Sequence, residues 1–304
     1  MAEQHASKMC LACNREYGSE LSVCPHDKTA LISIGVPDPF AGTTIGRYVI
    51  KELIGKTYSA NVYLAEQDGE LVAAHITQLT RPLNQVLLTG MTARLKDIRK
   101  LVHPNINRIR EFSMLPDKHL MVVGDLINGQ SLEDMTPFAN NDLKDVFTIF
   151  ADVCDALDYA HGEGVLHSDI KPSNIMMSAR GVQLVDFDYV TTYVTDQCQT
   201  CCQELGAGMM IDYKSPEHVM GRPLRPASDL YSLGCCLFKT LTNISPFKGF
   251  NYLQTASKHL SSAAPPAGTR ELDAFFAAAL AKNWEDRFHT GSDFKTALAK
   301  VAGM

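Results

Sequence analysis

The chain has 304 residues, of which 45% are hydrophobic and 20% are charged, and its formal net charge is −6. This length and composition allow a sizeable buried core, and we expect one large domain with a small appendage. The acidic balance argues against a nucleic-acid-binding surface, which normally requires a basic stripe. The sequence contains no run of eighteen apolar residues, no leader and no lipidation motif, so we expect a cytoplasmic protein without a membrane span.

Residues 1–34 contain candidate metal ligands. Their spacing resembles that of a zinc ribbon, with the ligands Cys10, Cys13, Cys24 and Asp27. Two tight turns of this kind can each present two ligands to one tetrahedral zinc ion. Asp27 stands where a fourth cysteine is expected, so His26 and His5 are alternative ligands, and loosely structured reduced thiols are the other interpretation. So short a segment has little core, and metal binding would supply its folding energy.

Residues 35–46 are rich in proline, glycine and threonine and predict a linker between two domains. A strand, a turn and a strand are predicted from Arg47 to Ala65, and further strands are predicted at residues 71–75 and 120–123. Apolar residues at helical spacing then predict a buried helix: Val146, Ile149, Phe150, Val153, Leu157 and Ala160. Gly162 and Gly164 mark its end.

The loop after this helix carries the residues on which a functional interpretation depends. It reads His167, Ser168, Asp169, Ile170, Lys171, Pro172, Ser173 and Asn174, and a predicted hairpin then leads to Asp186. Phosphoryl transfer requires a carboxylate to accept a hydroxyl proton, a cation on the γ-phosphate and oxygen ligands for Mg²⁺. Asp169, Lys171 and the pair Asn174 and Asp186 would supply these groups. The alternative is a helix-capping loop with scattered polar residues.

This spacing closely resembles the protein kinase signature. Three later segments strengthen the resemblance: residues 213–217 (Tyr-Lys-Ser-Pro-Glu), 229–234 and 284–288. From about Arg47 to its end the chain resembles a bacterial Ser/Thr protein kinase of the eukaryotic-like type. The resemblance implies an α+β fold with a small β-rich lobe at about residues 47–124 and a larger helical lobe at about residues 129–304. It also implies ATP and Mg²⁺ as cofactors and a protein as substrate or signalling partner.

The resemblance assigns roles to individual residues. Asp169 would be the base, Lys171 would contact the γ-phosphate, and Asn174 and Asp186 would bind Mg²⁺. The residues expected around ATP are Ile54, Gly55, Lys56, Val62, Ala73, His75, Asp125 and Ile127, with Gly124 behind the adenine, where it would leave unusual room. The residues expected to support the scaffold are His167, Glu217, Asp229 and Arg287; Glu217 would pair with Arg287, and Asp229 would brace the catalytic loop.

The phosphate-binding positions depart from the family pattern. Of the three glycines in the phosphate-covering loop only Gly55 is present. His75 replaces the lysine that contacts the α- and β-phosphates, and Arg94 replaces the glutamate that pairs with it. One interpretation is that His75 is a buried strand residue and Arg94 a solvated helix charge. The other is that Arg94, Lys56 or a protonated His75 supplies the missing phosphate contact, with Lys56 the first candidate to test.

Other departures concern activation. Ser168 replaces an arginine that docks a phosphorylated activation segment, so we expect no activation by that route. Asp188 replaces a glycine and predicts a stiffer turn. Met210 replaces a threonine, which weakens the case for Ser/Thr substrates. The segment between them holds Cys198, Cys201 and Cys202, which we interpret as inert, the alternative being a second metal site or a thiol switch.

Three functions follow from these observations. The first is an impaired or atypical Ser/Thr protein kinase that binds ATP and Mg²⁺. The second is a catalytically dead pseudokinase that acts as a signalling scaffold or a nucleotide-sensing module. The third, a small-molecule phosphotransferase, leaves Lys171 and the motif at residues 213–217 unexplained.

Overall fold

The computed structural model describes residues 7–9, 15–18, 21, 23–26, 32–34, 38–57, 60–79, 85–135, 143–188 and 211–303. Several residues that the sequence singles out lie outside these ranges: His5, Cys10, Cys13, Asp27, Cys198, Cys201, Cys202 and Met210.

The N-terminal segment contains a small antiparallel sheet in the order β2-β1-β3. Its strands are β1 (Ser7–Met9), β2 (Glu16–Gly18) and β3 (Ile32–Ile34). Cys24 is buried, with its Sγ 3.2 Å from the Tyr17 hydroxyl, and Arg15 donates to Nε2 of His26 at 2.6 Å. Within the described residues, no group of three or more His, Cys, Asp or Glu side chains could hold a metal ion. Because only Cys24 of the four expected ligands is described, the zinc ribbon stays a prediction.

The small lobe is a six-stranded antiparallel sheet in the order β4-β5-β6-β7-β9-β8. Its strands are β4 (Thr44–Ile45), β5 (Tyr48–Lys56), β6 (Asn61–Gln67), β7 (Glu70–Gln78), β8 (Ile109–Leu115) and β9 (His119–Asp125). Since side chains alternate along a strand, each face builds its own core. Tyr63 and Ala74 pack under Phe40 on one face, whereas Val122 on the other face packs against Leu95 of α1 (Gln85–Lys100).

The large lobe is mainly helical. Its helices are α2 (Leu143–Gly162), α3 (Pro216–Val219), α4 (Pro226–Thr242), α5 (Tyr252–Ser261), α6 (Arg270–Ala279) and α7 (Gly291–Ala302). Helix α2 buries the six apolar residues whose spacing predicts it. Helix α4 has a proline in its first turn and ends at Thr242, and Asn243, with a positive φ of 60°, caps its C-terminus. In the described part of the chain, no helix is long and apolar enough to cross a membrane.

A small sheet in the large lobe positions the candidate site. It consists of β10 (Gly129–Ser131), β11 (Ile175–Ser178) and β12 (Gly181–Leu184). The catalytic loop, residues 163–174, joins α2 to β11. The metal loop, residues 185–188, follows β12. The backbone N–H of Asp188 donates to the His167 carbonyl at 2.9 Å, so the two loops are joined directly.

Candidate active site

Asp169 is surrounded by hydrogen-bond donors. Lys171 donates to its Oδ2 at 2.5 Å, Lys214 donates to its Oδ1 at 2.7 Å, and Nδ2 of Asn174 contacts Oδ2 at 3.2 Å. Burial by itself raises the pKa of Asp169, but the Lys214 and Lys171 ammonium groups outweigh burial and hold that pKa below its usual value. The carboxylate is therefore ionised at neutral pH, as a proton acceptor must be.

Side chains from outside the catalytic loop bind its backbone and fix the loop on which Asp169 lies. The Asp229 carboxylate accepts from the N–H groups of His167 and Ser168, both at 2.8 Å, and Nε2 of His161 lies 2.8 Å from the same carboxylate. Ser168 has a φ of 66°. This conformation is strained for a non-glycine residue and persists only where the surrounding structure holds it. Asp229 holds its N–H and Lys214 holds its carbonyl oxygen at 3.1 Å.

His167 connects the two loops as a neutral ring. Its Nε2 donates to the Val185 carbonyl at 3.0 Å, and its Nδ1 accepts from the N–H of Asp169 at 3.2 Å. Burial lowers its pKa to about 4, more than the neighbouring carboxylates raise it. The side chain therefore keeps one donor and one acceptor at neutral pH, and each contacts a different loop.

His75 contacts Asp186, the candidate Mg²⁺ ligand. Its Nδ1 lies 3.1 Å from Oδ1 of Asp186. Burial lowers the pKa of His75, but the Asp186 carboxylate reverses this effect, so the pKa is raised overall. The same pairing outweighs burial at Asp186 and lowers its pKa. The ring at the lysine position is thus paired with the metal loop.

The strand register places several of the residues expected around ATP on one face of the small-lobe sheet. Gly55 pairs with Val62, Val62 with His75 and Ala73 with Gly124, so these residues share one face of the sheet. Ile54 precedes Gly55 on β5, Asp125 ends β9, and Ile127 follows it.

Lys56 lies on the other face. It pairs with Asn61, whose amide contacts the Tyr63 hydroxyl at 3.3 Å. On that face burial raises the pKa of Asp38, but hydrogen bonds from backbone N–H groups and Tyr63, together with the Lys56 charge, lower it overall. This position argues against Lys56 as a substitute for the missing lysine.

The interpretation of Arg94 as a solvated charge is wrong. Its Nε donates to the Asp188 carbonyl at 2.6 Å, and its Nη2 donates to the Leu166 carbonyl at 2.5 Å. The side chain is half-buried and reaches from α1 to both the catalytic loop and the metal loop. Asp188 itself does not have a positive φ, so an aspartate is accommodated there in place of glycine without backbone strain.

Lys214 is a functional candidate that the sequence interpretation missed. Its side chain is only 8% exposed, and its ammonium group contacts Asp169 and the Ser168 carbonyl. A buried lysine almost always requires a charged partner. The lysine between Tyr213 and Ser215 could therefore have indicated a nearby carboxylate. The identity of the partner depends on a contact across 45 residues of sequence.

Gly124 and the scaffold residues also have defined surroundings. Gly124 borders a cavity that His75, Asn107 and Asp186 also line. A Cβ on Gly124 would lie 3.2 Å from the Arg108 carbonyl, so this glycine allows close approach of the backbone.

In the large lobe, Arg287 donates to both carboxylate oxygens of Glu217, at 2.7 and 2.9 Å. This bidentate pair is buried and fixes the segment from residue 214 onward against α4.

Asn174 and Asp186 fit a Mg²⁺ ion. Nδ2 of Asn174 donates to the Asp169 carbonyl at 2.9 Å, which leaves its Oδ1 as the amide atom that can bind a cation. Asp186 adds an ionised carboxylate. These are the oxygen donors that Mg²⁺ prefers.

The comparison with known proteins agrees with this geometry. The family described as protein kinase domain matches residues 48–292. The probable serine/threonine-protein kinase PknB of Bifidobacterium longum is 32% identical over 284 residues, covering 87% of this chain and 40% of that protein. The serine/threonine-protein kinase pkn3 of Myxococcus xanthus is 30% identical over 285 residues, covering 87% of this chain and 52% of that protein. The chain thus spans about half or less of the length of these relatives.

Among solved structures, the Mycobacterium tuberculosis PknI kinase domain superposes with a TM-score of 0.66 at 22% identity, covering 86% of this chain and 98% of that one. The predicted two-lobed fold, with a β-rich small lobe and a helical large lobe, is confirmed by this likeness.

Proposed function

The chain belongs to the protein kinase family, and from that membership we propose that it binds ATP with Mg²⁺ and slowly transfers the γ-phosphoryl group to serine or threonine hydroxyls of a protein. The observation that carries the proposal is the convergence of Lys171, Lys214 and Asn174 on the ionised Asp169. A rigid loop with this arrangement provides the positioning and charge that phosphoryl transfer requires.

Each residue of the site has a role in this proposal. Asp169 accepts the proton of the acceptor hydroxyl, and Lys171 neutralises charge on the transferring group. Asn174 and Asp186 hold Mg²⁺, which supplies further charge neutralisation when it is bound. Asp229 and His167 keep the catalytic loop and the metal loop in register through the contacts described above.

The transfer is proposed to be slow because the nucleotide clamp is incomplete. His75 contacts Asp186, and Arg94 donates to backbone carbonyls. A missing charge-assisted hydrogen bond to phosphate costs about 1.5 to 3 kcal/mol. If that contact acts only in the transition state, the rate falls roughly tenfold to a hundredfold or slightly more.

A specific observation favours the alternative, a pseudokinase that senses nucleotide or acts as a scaffold. Both oxygens of Asp169 accept from ammonium groups, and Asp186 is paired with His75. This network is satisfied by the protein's own side chains, which is what a site without turnover would retain.

One experiment separates the two functions. The purified protein is titrated with ATP in the presence and absence of Mg²⁺, and transfer from γ-labelled ATP to itself and to a generic protein acceptor is measured by mass spectrometry. We expect Mg²⁺-dependent binding, and transfer that Asp169→Asn lowers by at least about a hundredfold. Binding without transfer would establish the pseudokinase, and transfer that survives Asp169→Asn would refute the assigned base.

We also propose that residues 1–34 bind zinc. The proposal is supported by the Cys-x-x-Cys spacing and by the burial of Cys24 beside a three-stranded sheet. Metal analysis of the purified chain should find about one zinc per molecule, and Cys24→Ser should remove it. Loss of zinc from His26→Ala would make His26 the fourth ligand in place of Asp27, and retention of zinc by Cys24→Ser would contradict this ligand set.

A further inference from the structure

Helix α1 is attached to the large lobe at its C-terminal end. The N–H of Val102 donates to the Tyr159 hydroxyl at 3.1 Å, and the His103 and Tyr159 rings stack at 5.2 Å. Asn105 donates through its side chain to the Val182 carbonyl at 2.8 Å. This attachment fixes the C-terminal end of the helix to the large lobe, while Leu95 packs the helix against Val122 of the small-lobe sheet.

Arg94 provides a second point of attachment, one and a half turns before the end of the helix. Its two donors reach the carbonyls of Leu166 and Asp188, which belong to different loops. These loops are already joined by the bond from the N–H of Asp188 to the His167 carbonyl. One guanidinium group therefore holds helix, catalytic loop and metal loop at a single junction.

The chemistry of this junction suits arginine. A guanidinium group is planar and presents donors in a fixed fork, so it can satisfy two carbonyl oxygens at once. Both acceptors are neutral main-chain groups, and neither requires nucleotide, metal or phosphorylation. The arrangement is therefore complete in the chain alone.

We propose that Arg94 is a positioning residue that holds helix α1 against the catalytic and metal loops through the Leu166 and Asp188 carbonyls, independently of nucleotide. Arg94 thereby takes over the positioning role of the family's lysine–glutamate ion pair. In this chain His75 and Arg94 occupy the two positions of that pair. The helix keeps its working orientation although no ion pair links it to β7. This inference concerns the protein without ligand and does not rest on phosphoryl transfer.

The test is hydrogen exchange of the full chain without nucleotide, read by mass spectrometry. Arg94→Met keeps the length of the side chain and removes its donors, while Arg94→Lys keeps the charge and loses the fork. The matched control is Arg99→Met, which removes an exposed arginine from the last turn of the same helix. Peptides from helix α1, the catalytic loop and the metal loop are compared with peptides from helix α4.

We expect Arg94→Met to speed exchange in helix α1 and in both loops by about tenfold, with helix α4 unchanged. Arg94→Lys should fall between this variant and the native chain, and Arg99→Met should match the native chain.

Native-like exchange in helix α1 of Arg94→Met would overturn the proposal. An equal rise in all four regions would also overturn it, because that pattern indicates a general loss of stability. If Arg94→Met does not fold, Arg94→Lys decides the question by the same comparison of helix α1 with helix α4.

Discussion

The catalytic loop and strand β7 differ in what their cations contact. At the catalytic loop, the ammonium group of Lys171 and that of Lys214, which lies outside the loop, converge on the carboxylate of Asp169. On β7 a histidine stands where a lysine is expected, and it faces the carboxylate of Asp186. The guanidinium group of Arg94, which stands at the position of the glutamate partner, donates to two carbonyl oxygens.

The architecture of the site is therefore kept although the lysine and glutamate positions hold His75 and Arg94. On the proposed acceptor side, Asp169 contacts two cations, while on the proposed nucleotide side His75 and Arg94 contact other groups of the protein. Apart from Asp186, which is paired with His75, the two sides use different residues, so substitutions can test each side separately.

The largest effect should follow from removing the group that both sides share. Asp186→Asn changes the proposed Mg²⁺ ligand and also removes the charged partner of His75, so we expect phosphoryl transfer to fall by about a hundredfold or more. The Mg²⁺ dependence of ATP binding should disappear as well. Calorimetric titration with ATP, with and without Mg²⁺, checks this expectation, and retained Mg²⁺ dependence would remove Asp186 from the metal site.

A smaller loss should follow from Lys214→Met, which acts on the acceptor side alone. The variant removes a charge-assisted hydrogen bond to Asp169, which corresponds to a decrease in kcat of roughly tenfold to a hundredfold. The dissociation constant of Mg-ATP should change by less than about twofold, because Lys214 contacts the proposed base Asp169 and not the proposed metal ligands Asn174 and Asp186.

The control for this variant is Lys295→Met, which breaks the exposed ion pair with Asp155. Such surface pairs contribute about 1 kcal/mol or less, so kcat should be unaffected. If Lys214→Met retained the native kcat, Lys214 would have only a packing role.

The nucleotide side should respond to a gain of charge. His75→Lys restores an ammonium group in the row that contains Gly55 and Val62, and we expect it to tighten Mg-ATP binding by up to about tenfold. Gln78→Lys adds the same charge at the exposed end of the strand and should not tighten binding. Equal Mg-ATP affinities for the native chain, His75→Lys and Gln78→Lys would mean that the missing lysine on β7 does not weaken nucleotide binding.

The fold could be predicted because its signals are local. The apolar spacing of helix α2, the glycines after it and the polar loop at residues 167–174 are each contained in a short stretch of sequence. The same holds for the motif at residues 213–217. Each of these predicts an element without knowledge of its neighbours.

The cation contacts could not be predicted in the same way. Arg94 and Asp188 are 94 residues apart, and Lys214 and Asp169 are 45 apart, so their pairing depends on how lobes and loops pack. Lys56 was a reasonable candidate by its position in the phosphate-covering loop. The strand register, which sequence alone does not fix, puts it on the other face of the sheet.

The smallest effect concerns two histidines whose pKa values shift in opposite directions. Burial lowers the pKa of His167 to about 4, so the unfolded chain binds its proton first as the pH falls below about 6.5. Its contribution to stability is complete above that pH and is lost as the pH falls toward 4. Between pH 7 and pH 6 the loss amounts to about 0.7 kcal/mol. Urea unfolding of the native chain and of His167→Gln at both pH values measures this difference.

His75 provides the opposite sign. The Asp186 carboxylate raises its pKa against the effect of burial, so the folded chain binds the proton first. Its contribution is complete below about 6.5 and is lost as the pH rises through the raised pKa. His75→Gln should therefore make stability fall more steeply between pH 7 and pH 6, whereas His167→Gln should make it fall less steeply. If both variants changed the slope in the same direction, the pairing of His75 with Asp186 would not hold in solution.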